Sequence, residues 1–170
     1  MSDPAKNVDF VLTRTFDAPR ALVFKAWTER DHLMKWFGPK GTTIPKATLD
    51  LRPGGSFHYC MRMPTGAEMW GKWVFREIVV PERLVMVTSF ADAAGGTTRA
   101  PMIEGWPLQT LSTTTFVERD GKTEVTLHWS PLDASDAERT LFGNMHDSMR
   151  GGWGGTMDQL EVYLATAQQG

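Results

Sequence analysis

The chain has 170 residues, of which 41% are hydrophobic and 22% charged, and these values are typical of one globular domain with a substantial core. Its net charge of −2 provides no basic field for a phosphate backbone, which argues against nucleic-acid binding. A single cysteine excludes both an internal disulfide and a metal centre built from several thiolates.

The first part of the chain predicts one strand and two short helices. Hydrophobic and polar residues alternate along 8–16, as in a strand with one buried face. Asp17 and Pro19 then favour the start of a helix, because aspartate can cap the first turn and proline fits the first helical position. A second short helix is predicted around Trp36, before the glycines and proline of 38–41 end it.

The middle of the chain predicts six strands joined by turns. The predicted strands span residues 43–51, 56–63, 68–79, 84–90, 109–118 and 122–130. Asp120 and Gly121 form the strongest hairpin signal, and successive hairpins mean that neighbouring strands pair antiparallel. Residues 91–108 show no strand pattern. A loop of this length is either a solvated excursion anchored by Trp106 or a lid over a cavity.

The last part, Ser135 to Gln169, predicts one long amphipathic helix. Ser135 and Glu138 have the spacing of a capping box at its start. Apolar side chains recur at three- and four-residue steps on one face, namely Phe142, Met145, Met149, Trp153, Leu160 and Tyr163. Four glycines interrupt this pattern, and they are Gly151, Gly152, Gly154 and Gly155. Each costs about 1 kcal/mol against alanine in a helix, which predicts that the helix is bent or lies close to another backbone.

Together these elements predict an α+β fold. We expect a curved antiparallel sheet of about seven strands, wrapped around a long C-terminal helix, with two short helices after strand one. The seven Trp, nine Phe and ten Met side chains either fill a large core or line a cavity for an apolar or aromatic ligand.

The strand faces indicate which side chains would line such a cavity. Charged residues mark the side of each strand that faces solvent, so their neighbours by alternation point inward. The expected apolar lining comprises Phe57, Tyr59, Met61, Trp73, Phe75, Leu111, Met149 and Trp153, with Trp106 on the lid.

Glu77 and His146 are the polar candidates. Alternation places Glu77 in line with apolar neighbours, where it either pairs with Arg14 or Arg83 near a strand end or anchors a ligand inside the cavity. His146 lies at the edge of the apolar helix face, where it is either a satisfied histidine or a pocket acid or base.

No arrangement of residues identifies a catalytic site. The four histidines fall in four different predicted elements, and none has the spacing of a metal-binding pair. The chain has no nucleophile elbow, no Walker loop and no dinucleotide-binding fingerprint. We therefore predict no metal and no cofactor, and the catalytic residues stay unknown.

Several blocks of sequence, in a fixed order, carry a resemblance to a known family. They are Phe16-Asp17-Ala18-Pro19, Val23-Phe24-Lys25-Ala26-Trp27-Thr28, Trp36-Phe37-Gly38-Pro39, Asp50-Leu51-Arg52-Pro53-Gly54-Gly55, Arg76-Glu77-Ile78, Pro81-Glu82-Arg83-Leu84, and Gly152-Trp153 with Leu160. These blocks resemble the bacterial START-like proteins, in the branch named for homology to the C-terminal domain of the heat-shock protein 90 ATPase activator. The resemblance implies a helix-grip architecture with a deep cavity between the sheet and the C-terminal helix. It runs from about Val8 to Ala165, and we expect a single domain over residues 1–170 with its core at about 8–165. The matching residues are turn and packing residues, so no catalytic residue carries over.

These expectations favour a protein that binds a small hydrophobic or aromatic molecule in that cavity. The alternatives are an enzyme of the cyclase, dehydratase or hydrolase type that uses the same cavity, and a co-chaperone-like interaction domain. We expect no nucleic-acid partner and no membrane span, and homodimerisation through an exposed strand or the aromatic loop stays open. Because the first residues lack an apolar signal core, we expect a cytoplasmic location.

Overall fold

The computed structural model describes residues 8–169, which form eight strands and four helices. The strands are β1 (Phe10–Phe16), β2 (Thr43–Leu49), β3 (Ser56–Arg62), β4 (Glu68–Val79), β5 (Arg83–Ala91), β6 (Thr97–Thr98), β7 (Gln109–Arg119) and β8 (Lys122–Leu132). The helices are α1 (Arg20–Thr28), α2 (Arg30–Trp36), α3 (Asp136–Asn144) and α4 (His146–Gln169). Within the described residues, no helix is both long and apolar enough to cross a membrane.

All strands of residues 8–169 belong to one antiparallel sheet. Its order is β1-β8-β7-β5-β4-β3-β2, and the two-residue β6 pairs with β5 beside this path. The edges are therefore β1 and β2, the strands that flank the two short helices in sequence. This topology confirms the predicted curved sheet, and it adds β6 inside the stretch for which the sequence predicts no strand.

A group of stacked tryptophans joins the sheet to the helices. Trp27 of α1 is fully buried, and its ring stacks on those of Trp73 in β4 and Trp153 in α4, with centroid separations of 6.2 and 6.1 Å. Trp36 of α2 meets Trp27 edge-on at 5.0 Å and donates its indole N–H to the backbone oxygen of Ala26 at 2.9 Å. These rings form the centre of the main core, because they contact one another from four separate elements.

The C-terminal helical region is split, which corrects the prediction of one continuous helix. The capping box is present, since Glu138 N donates to Ser135 Oγ at 3.1 Å and Ser135 N donates to Glu138 Oε1 at 2.9 Å. Helix α3 ends at Asn144, and α4 begins at His146. Phe142 of α3 packs with Phe10 in a small second core, against which Met149 and Trp153 of α4 also pack. The break therefore precedes the four glycines, which all lie inside α4.

A β-bulge at the end of β4 reverses the predicted orientation of its last residues. Phe75 pairs with Met86, whereas Glu77 pairs with Val85, so Arg76 has no partner of its own. One extra residue moves every later side chain to the opposite face. Ile78 consequently packs against the core, and Glu77 lies at the surface.

The C-terminal half of α4 is fixed to the rest of the domain by polar contacts. Arg14 of β1 forms ion pairs with Asp158 at 2.7 Å and Glu161 at 3.4 Å. The hydroxyl of Tyr163 hydrogen-bonds to Nδ1 of His32 in α2. The glycines lie in the preceding turns, and a Cβ built on Gly151, Gly152 or Gly154 would meet no other atom within 4 Å. These three glycines are therefore not required by close packing.

Replacing one of these glycines should stabilise the protein. Gly152 is exposed in the helix, so Gly152→Ala should raise the free energy of unfolding by about 0.5–1 kcal/mol, through the higher helix propensity of alanine. Denaturant unfolding of both proteins measures the difference. Gly54→Ala is the matched control: its Cβ also meets open space, but its φ of +86° disfavours alanine and should lower the stability. A lower stability of Gly152→Ala would contradict this reading of α4.

Candidate functional site

A cavity of about 290 Å³ lies between the concave face of the sheet and the N-terminal half of α4. This is the volume that about ten water molecules occupy in the liquid. Eight of the lining residues are aromatic, namely Phe37, Tyr59, Trp70, Trp73, Phe90, Trp106, Trp129 and Trp153. The others are aliphatic, sulfur-containing or hydroxyl-bearing: Met69, Ile103, Pro107, Met145, Met149, Thr88, Ser89, Thr110 and Ser148. The lining is therefore almost entirely apolar.

Five of the side chains expected from the sequence line this cavity. They are Tyr59, Trp73, Trp106, Met149 and Trp153. Three further candidates point inward but belong to the solid core: Phe57, Met61 and Phe75 are 0%, 5% and 1% exposed. Their rings and side chains fill space between the sheet and the short helices, so they support the lining residues rather than face the cavity.

The remaining three candidates lie outside the cavity, each for a structural reason. Leu111 is on the outer face of β7, because the buried inner positions of that strand are taken by Thr110, Ser112 and Thr114. The bulge in β4 moves Glu77 to the surface, where it pairs with Arg83.

His146 is occupied by structural contacts near the start of α4. Its Nε2 donates a hydrogen bond to the backbone oxygen of Val8 at 2.7 Å. Its ring packs edge-on against Phe10 and Phe142, at 5.6 and 5.8 Å between centroids. The imidazole therefore joins α4 to the start of β1 instead of facing the cavity.

Several lining residues were not among the sequence candidates. Thr88 and Thr110 are directly opposite each other on β5 and β7. Alternation along β5 does place Thr88 on the inner face. Its small polar side chain, however, is not one that the sequence marks as part of an apolar cavity lining. Phe37 follows α2 in a segment without periodicity, and only its position before Gly38, with a φ of +116°, marks it as part of a specific turn.

Tyr59 folds over a position that has no side chain. Its cross-strand partner is Gly71, and a Cβ built there would lie 2.4 Å from the Tyr59 hydroxyl oxygen and 2.6 Å from Cζ. A residue larger than glycine would thus displace the ring. Burial raises the pKa of Tyr59 well above its usual value, so the phenol stays protonated throughout the physiological pH range.

The floor of the cavity contains a pair of small polar side chains. The hydroxyls of Thr88 and Thr110 hydrogen-bond to each other, and both residues are buried. Trp73 is the cross-strand neighbour of Thr88 on the other side. Threonine projects less far from the sheet than tryptophan does. The two threonines beside Trp73 therefore leave space between the sheet and α4.

One wall of the cavity is a loop between β6 and β7. Trp106 of this loop packs on Phe142 of α3, with 5.3 Å between ring centroids. Arg99 connects the same loop to α3 through an ion pair with Glu138 at 2.6 Å, and it donates to the backbone oxygen of Trp106 at 3.4 Å. Hydrogen bonds from the Ser135 backbone and from Arg99 hold the pKa of Glu138 below its usual range. The loop and the start of α3 are therefore joined at the cavity.

The cavity is electrically neutral. Among residues 8–169, no Asp, Glu, His, Lys or Arg side chain lines it, and Tyr59 is its one titratable group. The same residues contain no group of three His, Cys, Asp or Glu side chains arranged to hold a metal ion. The arrangement can enclose an uncharged molecule and offer it hydroxyl groups, but it presents no charged acid or base.

Comparisons with known proteins agree with this fold. A structure from Nitrosomonas europaea is 27% identical, with a TM-score of 0.75, and the match covers 99% of this chain and 100% of that one. A solution structure from Arthrobacter aurescens is 23% identical, with a TM-score of 0.77 and coverage of 97% and 90%. The AHSA1 protein of Silicibacter pomeroyi is 20% identical, with a TM-score of 0.68 and coverage of 94% and 99%. The last two likenesses concern the fold alone.

No curated protein matches the chain in sequence. The profile of the family described as "Activator of Hsp90 ATPase homolog 1-like protein" matches residues 17–165, which include all four helices up to Ala165 and seven complete strands. This span contains every side chain that lines the cavity. The chain therefore belongs to the family of activator of Hsp90 ATPase homolog 1-like proteins.

Proposed function

We propose that this protein binds a small, uncharged, apolar or aromatic molecule in the cavity between the sheet and α4. The observation that carries the proposal is the lining itself, because eight of the residues around about 290 Å³ of space are aromatic and none of the described lining residues is charged. Ordered water needs two to four polar partners at each site. The cavity supplies few, so an apolar guest is favoured over water.

The chemistry of the rim also supports a ligand site. Met69, Met145 and Met149 line the cavity and are each partly exposed. Methionine side chains are flexible and polarisable, so they adapt their contacts to guests of different shapes. A solid core would instead be expected to bury such side chains at fixed positions.

Binding is better supported than catalysis. A cyclase or hydrolase that used this cavity would need an acid or base in contact with the substrate. Glu77 pairs with Arg83 at the surface, and His146 donates to Val8, so neither candidate reaches the cavity. The co-chaperone alternative rests on the family resemblance alone, and no surface feature described above favours it.

Two related fluorescent probes test the proposal. N-phenyl-1-naphthylamine is uncharged, whereas 8-anilinonaphthalene-1-sulfonate adds a sulfonate to the same ring system. The neutral probe should bind at least about tenfold more tightly, because a buried sulfonate would find no counter-charge. Fluorescence titration measures both affinities. Glu77→Ala should leave them unchanged, since Glu77 is outside the cavity. Equal affinities, or no binding of the neutral probe, would contradict the proposal.

A change at Gly71 should close the site. In Gly71→Ala the new Cβ clashes with the rigid ring of Tyr59, which must turn away from the β4 backbone. We expect the ring to enter the cavity and to weaken binding of the neutral probe by about tenfold or more. The double variant Tyr59→Ala, Gly71→Ala removes the clash and should restore binding. Circular dichroism of each variant checks that the fold persists. Unchanged affinity in Gly71→Ala would show that Tyr59 does not border the bound probe.

A further inference from the structure

Tyr59 carries a hydroxyl group that has no hydrogen-bond partner within residues 8–169. Burial alone raises its pKa, and no hydrogen bond offsets the shift. The unpartnered polar side-chain atoms of the described residues that are completely covered by protein are Trp27 Nε1, Ser112 Oγ, Thr114 Oγ1 and Trp129 Nε1. The Tyr59 oxygen is not one of these covered atoms, although its side chain lines the cavity. It therefore faces open space inside the cavity.

The second tyrosine of the chain provides a direct contrast. Tyr163 is also partly buried, and its hydroxyl is hydrogen-bonded to Nδ1 of His32. A hydroxyl that is taken out of water without a partner costs free energy in the folded state. For Tyr163 the protein itself supplies the hydrogen-bond partner, which is His32. For Tyr59 none of the described residues supplies this partner, so a molecule that enters the cavity can do so.

The threonine pair on the floor adds a second donor. A hydroxyl group has one proton and two lone pairs. When one of Thr88 and Thr110 donates to the other, the acceptor keeps its own proton. The Tyr59 hydroxyl on β3 and the free proton of this threonine pair on β5 and β7 are thus two O–H donors on the sheet side of the cavity.

These donors and the absence of charged lining residues within the described part of the chain determine which kind of polar group on a ligand would fit the cavity. A neutral phenol is a stronger donor than acceptor, because its oxygen shares electrons with the ring. An anionic ligand group would also accept from it, but no cationic side chain of residues 8–169 lines the cavity to offset its desolvation. The matching group is therefore an acceptor that carries no charge.

We infer that the ligand carries an uncharged hydrogen-bond acceptor, such as a carbonyl oxygen, and that the Tyr59 hydroxyl donates to it. The inference rests on the proposed function, since it requires a guest in the cavity. Tyr59 then determines specificity, because a site with a buried donor discriminates against a guest that leaves this donor unpaired. A ketone or ester is preferred to a hydrocarbon of the same shape.

A pair of ligands with nearly identical shape tests this inference. In 2-isopropenylnaphthalene a CH₂ group replaces the carbonyl oxygen of 2-acetylnaphthalene. Isothermal titration calorimetry should show that the wild-type protein binds the ketone about five- to thirty-fold more tightly. The Tyr59→Phe variant should bind both molecules with similar affinity, because only the hydroxyl is removed.

Tyr163→Phe is the matched control. It should keep the preference for the ketone, and it should lower the midpoint of thermal unfolding because His32 loses its partner. The Tyr59→Phe variant should lower that midpoint by less than about 2 °C, since no hydrogen bond is lost. A larger decrease would identify the Tyr59 hydroxyl as structural and would overturn the inference.

The remaining outcomes are distinguishable. If the wild-type protein binds neither naphthalene, the proposed function itself is wrong. If it binds both equally, the cavity is a binding site but the acceptor inference is wrong. If the preference for the ketone persists in Tyr59→Phe, a donor other than Tyr59 recognises the carbonyl, and the assignment to this residue is overturned.

Discussion

Small side chains at the centre of the concave face separate α4 from the sheet. Gly71 has no side chain, and Thr88 and Thr110 occupy facing positions on the next strands of the sheet. Bulky rings flank this low floor, and Trp153 of α4 stacks on Trp27 at one side and meets Trp129 at 5.6 Å on the other. The large residues set the height of the helix, and the small residues set the depth of the floor. The space between them is the cavity, and the proposed binding function depends on that difference in size.

The same arrangement explains why the cavity survives in a well-packed domain. The rings around it also belong to the core, where Phe37 contacts Trp73 edge-on at 5.2 Å and Trp153 at 6.1 Å. Such contacts hold the walls in place from behind, so the walls do not need an occupant for support. At the C-terminal end of α4, Arg14 and its two acidic partners fix the helix independently of the cavity. The lining residues are therefore held in place by core contacts on one side and are free to contact a ligand on the other.

Much of this architecture could be predicted from the sequence, because strand alternation, hairpin turns and the capping box are local signals. The bounds of β4 agree with the predicted 68–79, and Ser135 begins the C-terminal helical region as expected. The site was harder to predict. A bulge that shifts Glu77 leaves no mark in the alternation pattern, and the inward threonines of β7 made Leu111 seem the buried residue. The apolar repeat runs from Phe142 through Met145 to Met149 without interruption, so the periodicity does not mark the break at Met145.

Composition also cannot predict which inward-facing side chains line the cavity and which are buried in the core. Phe57 and Tyr59 lie on the same face of β3, two residues apart, yet only Tyr59 borders open space. Which of two such rings faces a void depends on Gly71, the residue opposite one of them. Pairing across strands determines this, and pairing is a property of the folded sheet.

The rings of four of the seven tryptophans, Trp73, Trp106, Trp129 and Trp153, border the cavity, while Trp27 and Trp36 are enclosed in the core and Trp70 stacks on His58. Indole emission responds to the polarity and mobility of its surroundings. Most of the intrinsic emission of this chain therefore originates at the walls of one chamber. A change from water to an apolar guest alters the environment of those four indoles at once, so the unlabelled polypeptide reports its own occupancy.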